Sequence, residues 1–298
     1  MSAWLSNPVA VKELRGRMRG RRAVVVLTLY LLALSGIVAF VYLIYTGNAT
    51  IPGNTAARTA GKGLFAAILA VQVFLVAFIG PAFTAGAISG ERERQTYDLL
   101  RTTLLPAEAF VRGKLISALS YVFLLVLVSI PLQSIAFLLG GLSAVELVVA
   151  EVVILVAAVT YALYGLWCSA AMRSTLAATV ATFAGMLFVL FGTPLIGGAA
   201  ALFYSTWFAA TATGPGPLIE TLAAYAGFIG AATNLPATLI LSEALFLEEN
   251  AVFAFTMSLG SARLWLPMPW TLFILLHALA ALWLYRATVR RVRRVSDA

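Results

Sequence analysis

Few residues of this chain could do chemistry. It holds one histidine, one cysteine and 12 carboxylic acids in 298 residues. Cys168 lies in an apolar run, where a lone thiol makes neither an intramolecular disulfide nor a metal cluster, so it is read as packing. His277 has no carboxylate or second histidine at helical spacing, and a structural role is favoured for it. No H-E-x-x-H and no carboxylate pair at one depth occurs, so an intramembrane enzyme would lack its reacting groups. No G-x-x-x-x-G-K-[ST] occurs either: Gly61-Lys62-Gly63 lacks both the upstream glycine and the following Ser or Thr. The expectation is therefore a non-enzyme with no catalytic, cofactor or metal site of its own.

Two sets of residues remain. The first is Ile88 to Leu115, which sets Glu91, Arg92, Glu93, Arg94, Asp98, Arg101, Glu108, Arg112 and Lys114 between two long apolar segments. Arg94 and Asp98 stand at i,i+4, Asp98 and Arg101 at i,i+3, while Tyr97, Leu100 and Leu104 recur as an apolar stripe. This pattern predicts a short amphipathic helix, ended by Pro106, which starts another with Glu108 in its first turn. A loop that only fixed topology would need no apolar stripe, so the stretch reads as a docking surface. The second set is Gln72, Gln133 and Glu151, polar groups inside apolar runs and candidates for lining a pathway, although each is also ordinary in a helical bundle. Glu146 is explained by Ser143-Ala144-Val145-Glu146, a capping box. Glu151 has no such explanation; it lines an outward-facing cavity or leans toward the outer interface, and the second is favoured.

The elements that position these residues follow from composition. With 62% hydrophobic residues, 11% charged residues and a mean hydropathy of +0.97, the chain lies far from soluble domains. Spans are expected at Ala23–Tyr45, Leu64–Ser89, Leu115–Leu139, Val145–Ala171, Thr175–Tyr204 and Leu264–Tyr285. None alternates with period two, so the fold is all-α, a polytopic membrane protein of six transmembrane helices rather than a barrel. Of 20 Lys and Arg, only Arg58, Lys62 and Arg263 fall on one side, which places both termini and the charged loop in the cytoplasm and the protein in the inner membrane. The net charge of +8 is then a topology signal, and nucleic acid is not an expected partner.

Residues 1–22 are expected to form a cytoplasmic interfacial helix, with Asn7 and Pro8 at its start and Val11, Leu14 and Met18 on its apolar side. An unstructured basic flank explains that segment nearly as well. Residues 205–263 are apolar but broken at Gly214-Pro215-Gly216-Pro217 and Asn234-Leu235-Pro236. A re-entrant or interfacial segment outside the cytoplasm is expected there, with two further crossings as the alternative. Glu243, Glu248 and Glu249 with Trp207, Trp265 and Trp270 fit a wet outer vestibule.

Asn7-Pro8-Val9 with Lys12-Glu13-Leu14-Arg15, Gly90-Glu91-Arg92-Glu93 followed by Thr96-Tyr97-Asp98-Leu99-Leu100, and Gly113-Lys114-Leu115, in this order along six spans, resemble the permease subunits of ABC-2-type ABC transporters. Thr103-Leu104-Leu105-Pro106 departs from the family's usual Thr-Pro-Leu-Ser. The resemblance makes residues 1–298 a single transmembrane domain, with 90–114 its cytoplasmic coupling region. It implies an ABC ATPase partner that carries ATP and Mg, a second permease chain in a homo- or heterodimer, and ATP-driven transport, as an exporter, of an unidentified substrate. Glu91, Arg92, Glu93, Arg94, Tyr97, Asp98, Leu100, Arg101 and Leu104 would form the ATPase-coupling set. An ATP-independent channel or scramblase, or a structural membrane subunit, is the alternative.

Overall fold

Apolar runs of this length become helices because hydrocarbon offers backbone groups no partner outside the segment. A computed structural model describes residues 21–47, 53–95, 106–210, 216–249, 252–259 and 262–296. In chain order these form α1 (Arg21–Gly47), α2 (Gly53–Thr84), α3 (Ser89–Glu93), α4 (Ala107–Leu138), α5 (Ala144–Ala171), α6 (Thr175–Leu187), a π-helical turn (Phe188–Gly192), α7 (Thr193–Ala210), α8 (Pro217–Ala231), α9 (Leu235–Glu249), strands β1 (Ala254–Leu259) and β2 (Ala262–Pro267), and α10 (Pro269–Ser296). Among the described residues, 6 helices are long and apolar enough to cross a membrane, as expected. The interfacial helix expected at residues 1–22 lies outside the described residues except for Arg21 and Arg22, which begin α1, and the amphipathic helix expected around Tyr97–Leu104 lies outside them altogether.

Some boundaries differ from the sequence reading. The second span begins at Gly53 rather than Leu64, because Arg58 and Lys62 are tolerated on a helix that outruns the hydrocarbon. Pro106 caps α4, and the short helix expected after it is continuous with the third span. Leu264, placed in the last span, lies in β2 instead; the helix starts only at Pro269, where a missing N–H costs nothing.

The chain divides into two compact units, Met1–Phe183 with Ala281–Ala298, and Ala184–Ala280. In the first, α2 packs against α5, α4 and α1, and α4 also packs on α1 and α5. Close backbone approach is one reason these helices fit: a methyl group on Gly141, after α4, would lie 2.6 Å from the Lys62 amide nitrogen and 2.7 Å from the Arg58 carbonyl oxygen of α2. Helix α5 begins with the capping box read from the sequence. The Glu146 amide donates to Ser143 Oγ at 3.2 Å, and the Ser143 amide to Glu146 Oε2 at 3.3 Å.

The second unit is organised by a proline. Pro194 has no N–H for the Leu190 carbonyl one turn back, and the helix widens into the π turn there. Asn234 satisfies the freed groups: its Nδ2 donates to the carbonyls of Val189 at 2.8 Å and Leu190 at 3.0 Å, and Thr193 Oγ1 donates to Val189 O at 2.6 Å. Asn234 Oδ1 meanwhile accepts from the Ala237 amide at 3.0 Å, capping α9. Helices α8 and α9 meet there at a bend of 116°, the shape of a broken span or re-entrant loop. The antiparallel β1–β2 hairpin was not anticipated by an all-helical reading; it packs Phe255 and Leu266 with Met268 against Phe228 and Phe246. Trp207 and Trp265 are exposed, and Trp270 Nε1 donates to Val252 O at 2.9 Å.

Candidate functional site

The charge-rich end of the first unit is built on α3, five residues that no intrinsic helix propensity would hold. Its ends are secured from outside. Ser169 Oγ, near the end of α5, accepts from the amides of Ile88 at 2.9 Å and Ser89 at 3.0 Å. At the other end Glu93 spreads its carboxylate over the start of α6: the Thr175 amide donates to Oε1 and the Thr175 hydroxyl to Oε2, each at 2.7 Å. Glu93 thus completes, from another element, the N-terminus that Ser174 Oγ begins by accepting from the Ala177 amide at 3.1 Å.

Arg92 Nη1 donates to the Ala170 carbonyl at 3.2 Å and reaches that of Met172 at 3.5 Å, so a cation covers the C-terminus of α5. Glu91 pairs with Lys114 of α4 at 3.0 Å, and the lysine is almost fully buried beside the Phe110 ring. Arg293 of α10 pairs with Glu108 at 2.6 Å, and Arg291 lies over the Trp167 ring. Beneath these polar contacts Ile88, Phe110, Val111, Leu163, Leu166, Leu284 and Val289 form one apolar core.

Of the residues expected to couple to a partner, Glu91, Arg92 and Glu93 are therefore engaged within the chain. Arg94 ends α3, and Gln95 follows in a left-handed conformation with φ of 56°. Tyr97, Asp98, Leu100, Arg101 and Leu104 lie outside the described residues. Ser169 and Thr175 were not singled out; Lys114 was named among the charges of the stretch and in Gly113-Lys114-Leu115, but its pairing with Glu91 was not foreseen.

The second set is brought together. Gln72 of α2, Ser129 and Gln133 of α4 and Glu151 of α5 form a buried cluster; Ser129 and Gln133 are one helical turn apart and face the same way. Gln72 Nε2 donates to Ser129 Oγ at 2.5 Å and to Glu151 Oε1 at 3.0 Å. Gln133 Nε2 donates to Gln72 Oε1 at 3.0 Å and to the same Glu151 oxygen at 2.6 Å. Ser129 Oγ gives its own proton to Val126 O at 2.6 Å. Glu151 Oε2 and Gln133 Oε1 have no donor, and the Tyr30 hydroxyl of α1 lies near Ser129 and Glu151 without hydrogen-bonding geometry. The expectation that Glu151 leans toward the outer interface is corrected: it is only 8% exposed, because two carboxamides draw it into the bundle.

Cys168 is buried, and His277 stacks on Phe273 with Nδ1 3.1 Å from the Phe273 carbonyl. Among the described residues no group of three His, Cys, Asp or Glu is placed to hold a metal ion.

Long apolar helices, with a charge-rich corner held together at one end, define a multi-pass α-helical membrane protein. Residues 7–261 match the family model described as ABC-2 family transporter protein, and the chain belongs to that family. Its members are membrane components of transporters and generally pair with an ATPase subunit. No curated protein matches the chain.

Proposed function

We propose that this chain is the permease subunit of an ATP-driven ABC exporter in the cytoplasmic membrane, working with a separate nucleotide-binding subunit that holds ATP and Mg and with a second, identical or related permease chain. Family membership supports the transporter reading. The observation that carries the coupling part is the cross-braced corner around α3, from which residues 96–105 lead to α4. A partner pushing on that stretch would act on a small helix joined to α4 through Glu91–Lys114, to α5 through Ser169 and Arg92, and to α6 through Glu93–Thr175. Push and response need not be at the same place. Residues 94–105, with Tyr97, Leu100 and Leu104 as the apolar stripe and Arg94, Asp98 and Arg101 as its charges, form the docking surface. Glu91, Arg92 and Glu93 transmit.

The test is co-expression with the nucleotide-binding ATPase subunit that this reading requires, sought first as a Walker-type ATPase encoded by a neighbouring gene. Tyr97→Asp and Leu100→Asp place charge in the apolar contact and are expected to abolish co-purification of the ATPase while membrane insertion stays normal. Variants that insert, retain the ATPase and hydrolyse ATP at the original rate would refute the docking role. Orientation is tested separately, on a Cys168→Ala background in intact cells. Gln95→Cys is expected to resist an impermeant thiol reagent and Asn48→Cys to react; the reverse overturns the cytoplasmic assignment.

A further inference from the structure

The Gln72–Ser129–Gln133–Glu151 cluster is the one place in the first four spans where an ionisable acid enters the apolar interior. From Ala23 to Gly47, Gly63 to Ser89, Leu115 to Leu138 and Leu147 to Ala171, Glu151 is the sole charged side chain. It sits about 10 Å along α5 from Ala144 at 1.5 Å per residue and is packed inside the bundle rather than on its surface. The nearest basic residue along α2 is Lys62, almost three turns or about 15 Å from Gln72. An ionised carboxylate there would keep its charge unpaired in a low-dielectric bundle, which is expensive.

The hydrogen bonding is lopsided in a way that identifies what is missing. Both donated N–H groups reach Glu151 Oε1, leaving Oε2 bare, and the Gln133 carbonyl oxygen is bare as well. The cluster therefore has two acceptors too many. A metal cation would want about six oxygens, and only two stand without a donor. One proton answers both needs: added at Oε2 it removes the charge and turns an acceptor into a donor. The proton at Oε2 leaves both Gln133 Nε2 donations, to Gln72 Oε1 and Glu151 Oε1, in place. Among the described residues the groups near Glu151 on the packed helices are Gln72, Ser129, Gln133 and the Tyr30 hydroxyl, none of them cationic.

We propose that Glu151 is a proton-binding site inside the bundle: the packed helices hold its carboxyl as the neutral acid through Gln72 and Gln133, with the proton drawn from water and bound at Oε2. The ligand is a proton and nothing larger. This site stands independently of the ATPase reading.

Infrared spectroscopy of the full-length chain in lipid nanodiscs at pH 7 tests it. Solvated Asp and Glu, with ordinary values near 3.9 and 4.3, are ionised there and give no protonated-carboxyl C=O band. One such band is expected in the native protein, and Glu151→Gln should delete it. Glu151→Asp retains an acid and should move the band, which decides the matter should the Gln variant fail to insert. Absence of the band from the native protein, or a band unchanged in either variant, overturns the proposal.

Discussion

Asn234 is a single side chain that serves two helices, and replacing it separates the two services. Its Nδ2 meets the carbonyls of Val189 at 2.8 Å and Leu190 at 3.0 Å, and its Oδ1 caps α9 through the Ala237 amide at 3.0 Å. The residue is 2% exposed, so water cannot replace what is removed. Interhelical hydrogen bonds within membranes average about 0.6 kcal/mol and reach about 1.7 kcal/mol, so the two donated bonds are together worth roughly 1–3 kcal/mol. The cap adds about 1 kcal/mol. Asn234→Ala should therefore destabilise by about 2–4 kcal/mol. Asn234→Ser, whose hydroxyl can still cap α9 but cannot reach both carbonyls, should recover about 1 kcal/mol of that. Asn234→Asp should be the worst of the three, since it keeps the cap but turns a carboxylate toward the carbonyl oxygens. Unfolding by SDS in mixed micelles, followed by tryptophan fluorescence, gives the comparison. An Ala variant within about 0.5 kcal/mol of the native protein would refute the claim that Asn234 sustains the π turn. Equal losses for Ser and Ala would refute the cap.

Other predictions test the first unit. Gly141→Ala should cost about 1–3 kcal/mol in the same assay because its methyl group meets backbone atoms that cannot turn aside, whereas Gly36→Ala, with nothing within 4 Å, should be neutral or gain up to about 1 kcal/mol of helix stability. In the Glu91–Lys114 pair the lysine is the buried partner, with side-chain exposures of 6% and 28%. Glu91→Gln, which takes the carboxylate away from the buried ammonium, should cost about 3 kcal/mol, and Lys114→Met less than half as much; equal losses would show that burial does not set the asymmetry. Glu93→Gln and Thr175→Val remove an exposed contact and should leave stability nearly unchanged, yet each should lower the ATP hydrolysis rate of the assembled complex several-fold while the ATPase still co-purifies. Unchanged hydrolysis would remove Glu93 from the transmitting set.

What could be read from the sequence depended on the range of the interaction. Span positions were legible because hydrocarbon imposes length and composition locally, and the Ser143–Glu146 box because both partners lie within one turn. A proline at 194 disrupts a helix by rule, but the consequence needed Asn234, far along the chain. Gln72, Gln133 and Glu151 were each visible as polar groups in apolar runs. That they meet was not, since separations of 79 and 18 residues leave no periodic trace. Glu93 looked like a surface charge for the same reason; its partner Thr175 is 82 residues away. The β1–β2 hairpin left one signal that was passed over, Gly260-Ser261 between two short apolar runs, a composition suited to two-residue hairpin loops.

The bracing of α3 also fixes a timetable for biogenesis. Five residues cannot stay helical alone, and the braces described above belong to later parts of the chain: Lys114, Ser169, the carbonyls of Ala170 and Met172, and Thr175. While the ribosome is still making the third and fourth spans, α3 lacks most of these braces. It becomes a fixed element only once the start of the fifth span has emerged and been placed. A nascent chain cut before Thr175 carries the whole charged stretch in its sequence but lacks the last fastening of its frame, so assembly on this corner is deferred until most of the membrane domain has been made.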